Sequence, residues 1–220
     1  MDQLDPRQIV VQMIILVLSI AVHEFGHAFV ADKLGDRTPR LQGRVTLNPL
    51  VHADPLGTLL IPAMLMITGS KIGFGWGRPV IVNPLAFTRK LRMKTAHLLV
   101  AAAGPAMNIL FGTLIAVILV VLLRTGVLGV KQFELIRAIH GAIHLNFILA
   151  FFNLIPAPPL DGGTVLAGLL PDRFRRAYEE YARYGIFVLM AFMLIPGLGV
   201  LYRYPAMRTY EAVLGVLGIY

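Results

Sequence analysis

The sequence predicts an all-α integral membrane protein, a multi-span helix bundle with a small β element on the cytosolic side. Three observations carry that expectation. Of 220 residues, 57% are hydrophobic and only 15% charged, with a mean hydropathy of +0.73, whereas soluble domains are about a quarter charged. Four apolar stretches approach or exceed the roughly 20 residues that a bilayer-spanning helix needs. Two pieces between them, GRVTLNPL at 43–50 and GRPVIVNPL at 77–85, alternate or run in β-branched residues and end alike in Asn-Pro-Leu, as short strands bounded by proline would. Residues 1–220 read as a single membrane-embedded domain, with no room for a second soluble one.

In chain order, MDQLDPRQ carries Asp2, Asp5 and Arg7 ahead of a long apolar run, which does not describe a signal peptide. The first span is 9–31. LGTLLIPAMLMIT at 57–69 is short for a span and holds Pro62, so it is expected to re-enter rather than cross. Spans follow at 95–123, 135–156 and 185–202, and the short apolar tail 206–220 is expected at the interface.

Charge orients these segments. Lys33, Arg37, Arg40 and Arg44 follow the first span, and Lys71, Arg78, Arg89, Lys90, Arg92 and Lys94 precede or open the second. Arg173, Arg175, Arg176 and Arg183 follow the third, while 124–134 carries Arg124 and Lys131 against Glu134. The positive-inside rule then places 32–94 and 157–184 in the cytosol and 124–134 outside. The net charge of +8 is thereby read as topology, not as nucleic-acid binding. Without cysteine, neither a disulfide nor a thiolate metal site is possible.

The stretch AVHEFGHAFV, 21–30, breaks the apolar pattern. An ionisable group at mid-membrane costs about 2.5–3.5 kcal/mol on insertion scales, so three of them within one turn need a reason. His23 and His27 stand at i and i+4, on one helix face. That spacing lets two imidazoles grip one divalent metal, with Glu24 beside them to take a proton from a water at the metal. This is the H-E-x-x-H zinc hydrolase arrangement. The competing reading is two interior histidines hydrogen-bonded to neighbouring helices.

A catalytic zinc takes a third protein ligand. His140 and His144 form another i, i+4 pair but lie toward the outer end of their span, about 30 Å across the bilayer, and read as bundle or interface residues. His52 and His97 have no partner motif and read as loop or interface residues. Asp161 fits better. It lies in FFNLIPAPPLDGG, 151–163, where Pro156, Pro158 and Pro159 break the third confident span at the depth of His27. Gly162 and Gly163 allow a tight backbone there. Its alternative role is a turn aspartate capping the next helix.

HEFGH at 23–27, NLIPAPPLDGG at 153–163 and GPAMN at 104–108 together resemble the site-2 protease family of intramembrane zinc metalloproteases. The resemblance covers nearly the whole chain, and it is to the short members, without a PDZ insertion or a nucleotide-binding regulatory domain. It implies one Zn2+ per chain on His23, His27 and Asp161, with Glu24 as general base. The reaction it implies is hydrolysis of peptide bonds in or near transmembrane segments, with the lipid bilayer and a transmembrane protein or peptide as partners. The expected location is the cell membrane, with the active site toward the cytosol. Alternatives are clearance of remnant signal peptides, or a non-proteolytic zinc-binding membrane protein or transporter, although the acidic and His residues cluster at one depth.

Of the bundle asparagines, Asn153 and then Asn108 are candidates to meet the substrate backbone or the oxyanion, and Asn146 stands too far up its span for the metal. Each also has the plainer role of binding helices together. A helical substrate must unwind before attack, and GRVTL or GRPVIV offers a strand for it to pair with. Trp76, among Gly73, Gly75 and Gly77, suits an interfacial anchor or a gate.

Overall fold

The computed structural model describes residues 6–68 and 75–219. The expectations placed on Asp2, Asp5, Lys71, Gly73 and Tyr220 lie outside them. In chain order the main helices are α1 (Pro6–Lys33), α2 (Ile61–Ile67), α3 (Met93–Arg124), α4 (Phe133–Asn153), α5 (Asp161–Leu169), α6 (Arg175–Arg183), α7 (Gly185–Leu194) and α8 (Val200–Val216). At 1.5 Å per residue, α1, α3 and α4 run about 42, 48 and 32 Å. These three regions are long and apolar enough to cross a membrane. Leu110, Leu114 and Val121 stand 63%, 54% and 53% exposed on α3, a surface that lipid, not water, accommodates.

Local chemistry sets the ends. α1 stops at Gly35, whose φ of 106° lets the Asp36 N–H reach back to the Ala31 carbonyl at 3.0 Å, a left-handed glycine cap. Gly126, with φ 73°, follows α3 in the same way.

α3 is the central helix, packed by α1, α4 and α5. It runs antiparallel to α1, so that Ser19 meets Asn108 and Ala31 meets Ala96. The seam between them is built of small residues, which let membrane helices approach closely. A Cβ on Gly26 would lie 2.7 Å from both the Ala103 carbonyl oxygen and Met107 Cγ. On the other side of α3, a Cβ on Gly112 would come within 3.0 Å of the Phe147 ring on α4.

One expectation changes. No strand forms among the described residues. The extended run 77–83 sends its N–H groups elsewhere: Arg78 to the His52 carbonyl, Val80 to the Glu24 carboxylate and Asn83 to the Asp36 carboxylate. The repeated Asn-Pro-Leu is a capping device, not a strand end. Asn48 and Asn83 each accept from the N–H two residues on, at 3.1 Å, opening the helical turns Pro49–His52 and Pro84–Ala86.

The stretch 185–202 is not one continuous helix. α7 ends at Leu194 and α8 leaves at 101° to it, because Pro196 lacks the N–H that would continue the helix. Ala206 and Leu214 of α8 are fully buried in a core with Leu119, Ile143 and Phe147. Finally, residues 57–67 lie within a π-helical turn, Pro55–Leu60, joined to α2. Together they span about 20 Å, less than the roughly 30 Å hydrocarbon core.

The seam sets a stability expectation. Gly26→Val is expected to destabilise the protein by about 1–3 kcal/mol, read as a lower Tm in detergent. Gly141→Ala, where an added Cβ meets open space, is expected to leave Tm unchanged or slightly raised. Equal melting of the two variants would contradict this packing.

Candidate metal centre

The helical period brings His23 and His27 to one face of α1, their rings edge to face with centroids 4.7 Å apart. Their Nε2 atoms are 3.1 Å apart. Asp161 reaches them because the chain reverses after α4 and starts α5 at that residue. The reversal admits no side chain at two positions. A Cβ on Gly162 would sit 2.3 Å from the carbonyl oxygens of Leu154 and Ile155, and one on Gly163 would sit 2.7 Å from Pro158 N. From α6, the Tyr178 hydroxyl donates to the Gly163 carbonyl at 2.7 Å and Tyr181 to the Pro156 carbonyl at 2.8 Å. So fixed, Asp161 Oδ2 stands 3.1 Å from His23 Nε2 and 3.3 Å from His27 Nε2.

This donor set fits a metal. His27 Nδ1–H donates to the Val100 carbonyl at 2.8 Å, an atom that can only accept. His23 Nδ1–H donates to Asn108 Oδ1 at 2.7 Å. In its neutral form each ring then points a lone pair from Nε2 at its neighbour and at Asp161 Oδ2. That carboxylate oxygen is buried and accepts a hydrogen bond from no group. Three electron-rich atoms converge, an arrangement that repels unless a cation lies among them. Two imidazoles and a carboxylate, each imidazole anchored through its other nitrogen, are the chemistry of a catalytic zinc site.

α3 closes over this group at Gly104. A Cβ there would lie 2.4 Å from His27 Nε2 and 2.7 Å from His23 Cε1. Glu24, next on α1, faces the extended run 77–83, and its Oε2 accepts from the Val80 N–H at 3.3 Å. Gly77 permits that approach, since a Cβ there would touch Ile20 at 2.6 Å and Glu24 at 3.3 Å. The group opens into a cavity of about 740 Å³, also lined by Trp76, Val80, His97, Asn153 and Arg203. The Trp76 ring lies on Gly57, the Trp76 backbone N–H donates to the Gly57 carbonyl at 3.1 Å, and the Trp76 backbone carbonyl accepts from the Thr58 hydroxyl at 2.7 Å.

The other candidates scatter. Asn153 lines the cavity and donates to the Leu149 carbonyl of its own helix. Asn108 is fully buried, and both its N–H groups are spent inside the bundle, on the Ser19 carbonyl and on Asn146. His140 bonds the Tyr210 hydroxyl at 2.6 Å, and the His144 ring meets the same tyrosine edge to face. His52 is buried beneath the loop, its Nε2–H donating to the Thr46 carbonyl. Sequence reasoning set Asn146 aside and passed over Ser19, yet both touch Asn108. The available signal was the spacing of Ser19, His23 and His27 at i, i+4 and i+8.

Comparison with known proteins agrees with this chemistry. The model of peptidase family M50 matches residues 11–144 and 129–196. A Bacillus subtilis protein named "Putative zinc metalloprotease YwhC" is 38% identical over 191 residues, covering 84% of this chain and 80% of that one. A Mycobacterium tuberculosis protein named "Putative zinc metalloprotease Rip2" is 32% identical over 187 residues, covering 83% of this chain and 66% of that one. No solved structure gives a significant match.

The closeness of α3 yields a direct test. Gly104→Ala is expected to reduce bound metal to a small fraction of one ion per chain, because the new methyl group occupies the space of the two rings. Elemental analysis of the purified protein checks it, and full metal content in a folded Gly104→Ala variant would contradict the geometry.

Proposed function

The chain belongs to peptidase family M50, and from that premise we propose that it is an intramembrane zinc endopeptidase, cutting peptide bonds in or near the transmembrane segments of other membrane proteins. The observation that carries this reading is the meeting of His23, His27 and Asp161 inside a bundle whose long helices suit a membrane, with Glu24 beside them. His23 Nε2, His27 Nε2 and Asp161 Oδ2 hold the metal. When bound, zinc supplies Lewis acidity that lowers the pKa of water to about 7 and polarises a carbonyl.

Glu24 is the general base. Its carboxylate takes a proton from the attacking water and returns it to the departing amine nitrogen, so the residue is unchanged after a full cycle. The Val80 N–H steadies that carboxylate in the resting protein. Asn153, on the cavity wall, is the side chain placed to meet the substrate backbone. Asn108 has no N–H left to offer and acts otherwise.

A transmembrane substrate arrives as a helix with its carbonyls already bonded, and it must unwind before water attacks. The run 77–83 supports this step: it is extended, passes beside Glu24 and pairs with no other strand among the described residues. An unwound segment adds to it as a strand would. The basic loops at 32–94 and 157–184 support a metal on the cytosolic side of the bilayer.

Two outcomes follow. Glu24→Gln is expected to keep its zinc while kcat falls about 10²–10⁴-fold, whereas His23→Ala and Asp161→Ala lose zinc and activity together. Metal content and cleavage of a membrane-embedded substrate by each variant decide it, and a Glu24→Gln enzyme that still cuts at the parental rate would remove Glu24 as base. For orientation, single cysteines in place of Arg40, Arg89 and Arg175 are expected to resist a membrane-impermeant thiol reagent in intact cells, while one at Gly129 reacts. Labelling of Arg40 and Arg89 positions from opposite sides would show that 57–69 crosses the membrane.

A further inference from the structure

A chain of hydrogen bonds behind His23 uses three fully buried side chains that the reaction itself does not need: Ser19 on α1, Asn108 on α3 and Asn146 on α4. Its direction can be read without ambiguity, because backbone carbonyls only accept. The Ser19 hydroxyl donates to the Ile15 carbonyl at 2.8 Å, so its oxygen is left to accept. Asn146 Nδ2 donates to that oxygen at 3.0 Å and to the Ala142 carbonyl at 2.9 Å, which turns Asn146 Oδ1 toward Asn108. Asn108 Nδ2 then donates to Asn146 Oδ1 at 2.9 Å and to the Ser19 carbonyl at 3.1 Å. Only Oδ1 of Asn108 remains, and it faces His23 Nδ1 at 2.7 Å.

We propose that Asn108, held in one orientation by Ser19 and Asn146, is a positioning residue that fixes the tautomer and the aim of His23. With an acceptor at Nδ1, the neutral imidazole carries its proton there and keeps the Nε2 lone pair for the metal. A neutral imidazole without that acceptor has two tautomers, and one of them turns an N–H toward the metal position. His27 needs no such device, since the Val100 carbonyl serves it directly. The relay also joins α1, α3 and α4 at the level of the metal, so His23 is aimed only when all three helices are docked. Every polar group in it is satisfied inside the protein, as an apolar bundle demands.

This inference rests on the zinc reading above, and one titration separates the two. Zinc affinity is measured by chelator competition in detergent for the parent, Asn108→Leu, Asn108→Asp, Asn146→Leu, Ser19→Ala and the Asn108→Leu/Asn146→Leu double variant. The Tm of each apoprotein and the visible absorption of its Co2+ form accompany it. Asn108→Leu is expected to weaken zinc binding about 10–100-fold and to change the Co2+ spectrum. Asn108→Asp loses the same two N–H donors but keeps an acceptor for His23, and it is expected to recover affinity over the leucine variant. Asn146→Leu weakens binding by a smaller factor, and the double variant is no weaker than Asn108→Leu alone. A folded Asn108→Leu protein with parental affinity and spectrum would overturn the relay, as would an aspartate variant no better than leucine. Should Asn108→Leu fail to fold, Ser19→Ala decides: reduced affinity supports the relay and parental affinity contradicts it. A parent that binds no zinc would strike the zinc reading itself.

Discussion

Two imidazole nitrogens and one carboxylate oxygen face one another within 3.3 Å, and the surrounding structure is what holds them in that mutually repulsive arrangement. Each contact is made possible by something the chain leaves out. Gly104 lets α3 pass over the two rings, Gly26 lets the same helices touch below them, and Gly162 and Gly163 let the reversed chain lay Asp161 against them. Small residues in a membrane bundle permit close approach of backbones. Here the space they save is taken up by the ligating side chains.

The second demand is polar satisfaction. Lipid offers no hydrogen bonds, so each buried N–H, hydroxyl or amide needs a partner within the protein. The histidines meet this demand through their Nδ1 atoms, one on a backbone carbonyl and one on Asn108. Both solutions leave Nε2 free to bind. Satisfying the helix interior and preparing a metal site are thus the same act. Glu24 differs, being turned to the cavity and the extended run 77–83, where a base must meet water and substrate.

How much of this the sequence makes legible follows from the range of each interaction. His23, Glu24 and His27 are readable because their geometry is local, set by the period of one helix. Asp161 is readable because prolines mark where its span stops, and the depth of that stop follows from counting spans. Asn146 is different: its place beside Asn108 depends on the register between α3 and α4, which no local pattern records. The strands were misread because β-branched residues ending in Asn-Pro describe a strand and an Asn-capped turn equally well. The choice falls to the partners of the backbone N–H groups, here Asp36, Glu24 and the His52 carbonyl. The bend between α7 and α8 escaped for a related reason, since both sides of Pro196 are apolar and hydropathy runs on through it.

The central claim is that one zinc binds the group formed by His23, His27 and Asp161. X-ray absorption at the zinc edge of the purified protein tests it most directly. The expected result is one zinc per chain, bound by two imidazole nitrogens at about 2.0–2.1 Å with the remaining ligands oxygen at about 2.0–2.2 Å. Replacing His27 by Ala is expected to abolish the two-imidazole signal. A spectrum showing one imidazole or none, or a two-imidazole signal that survives loss of His27, would contradict it.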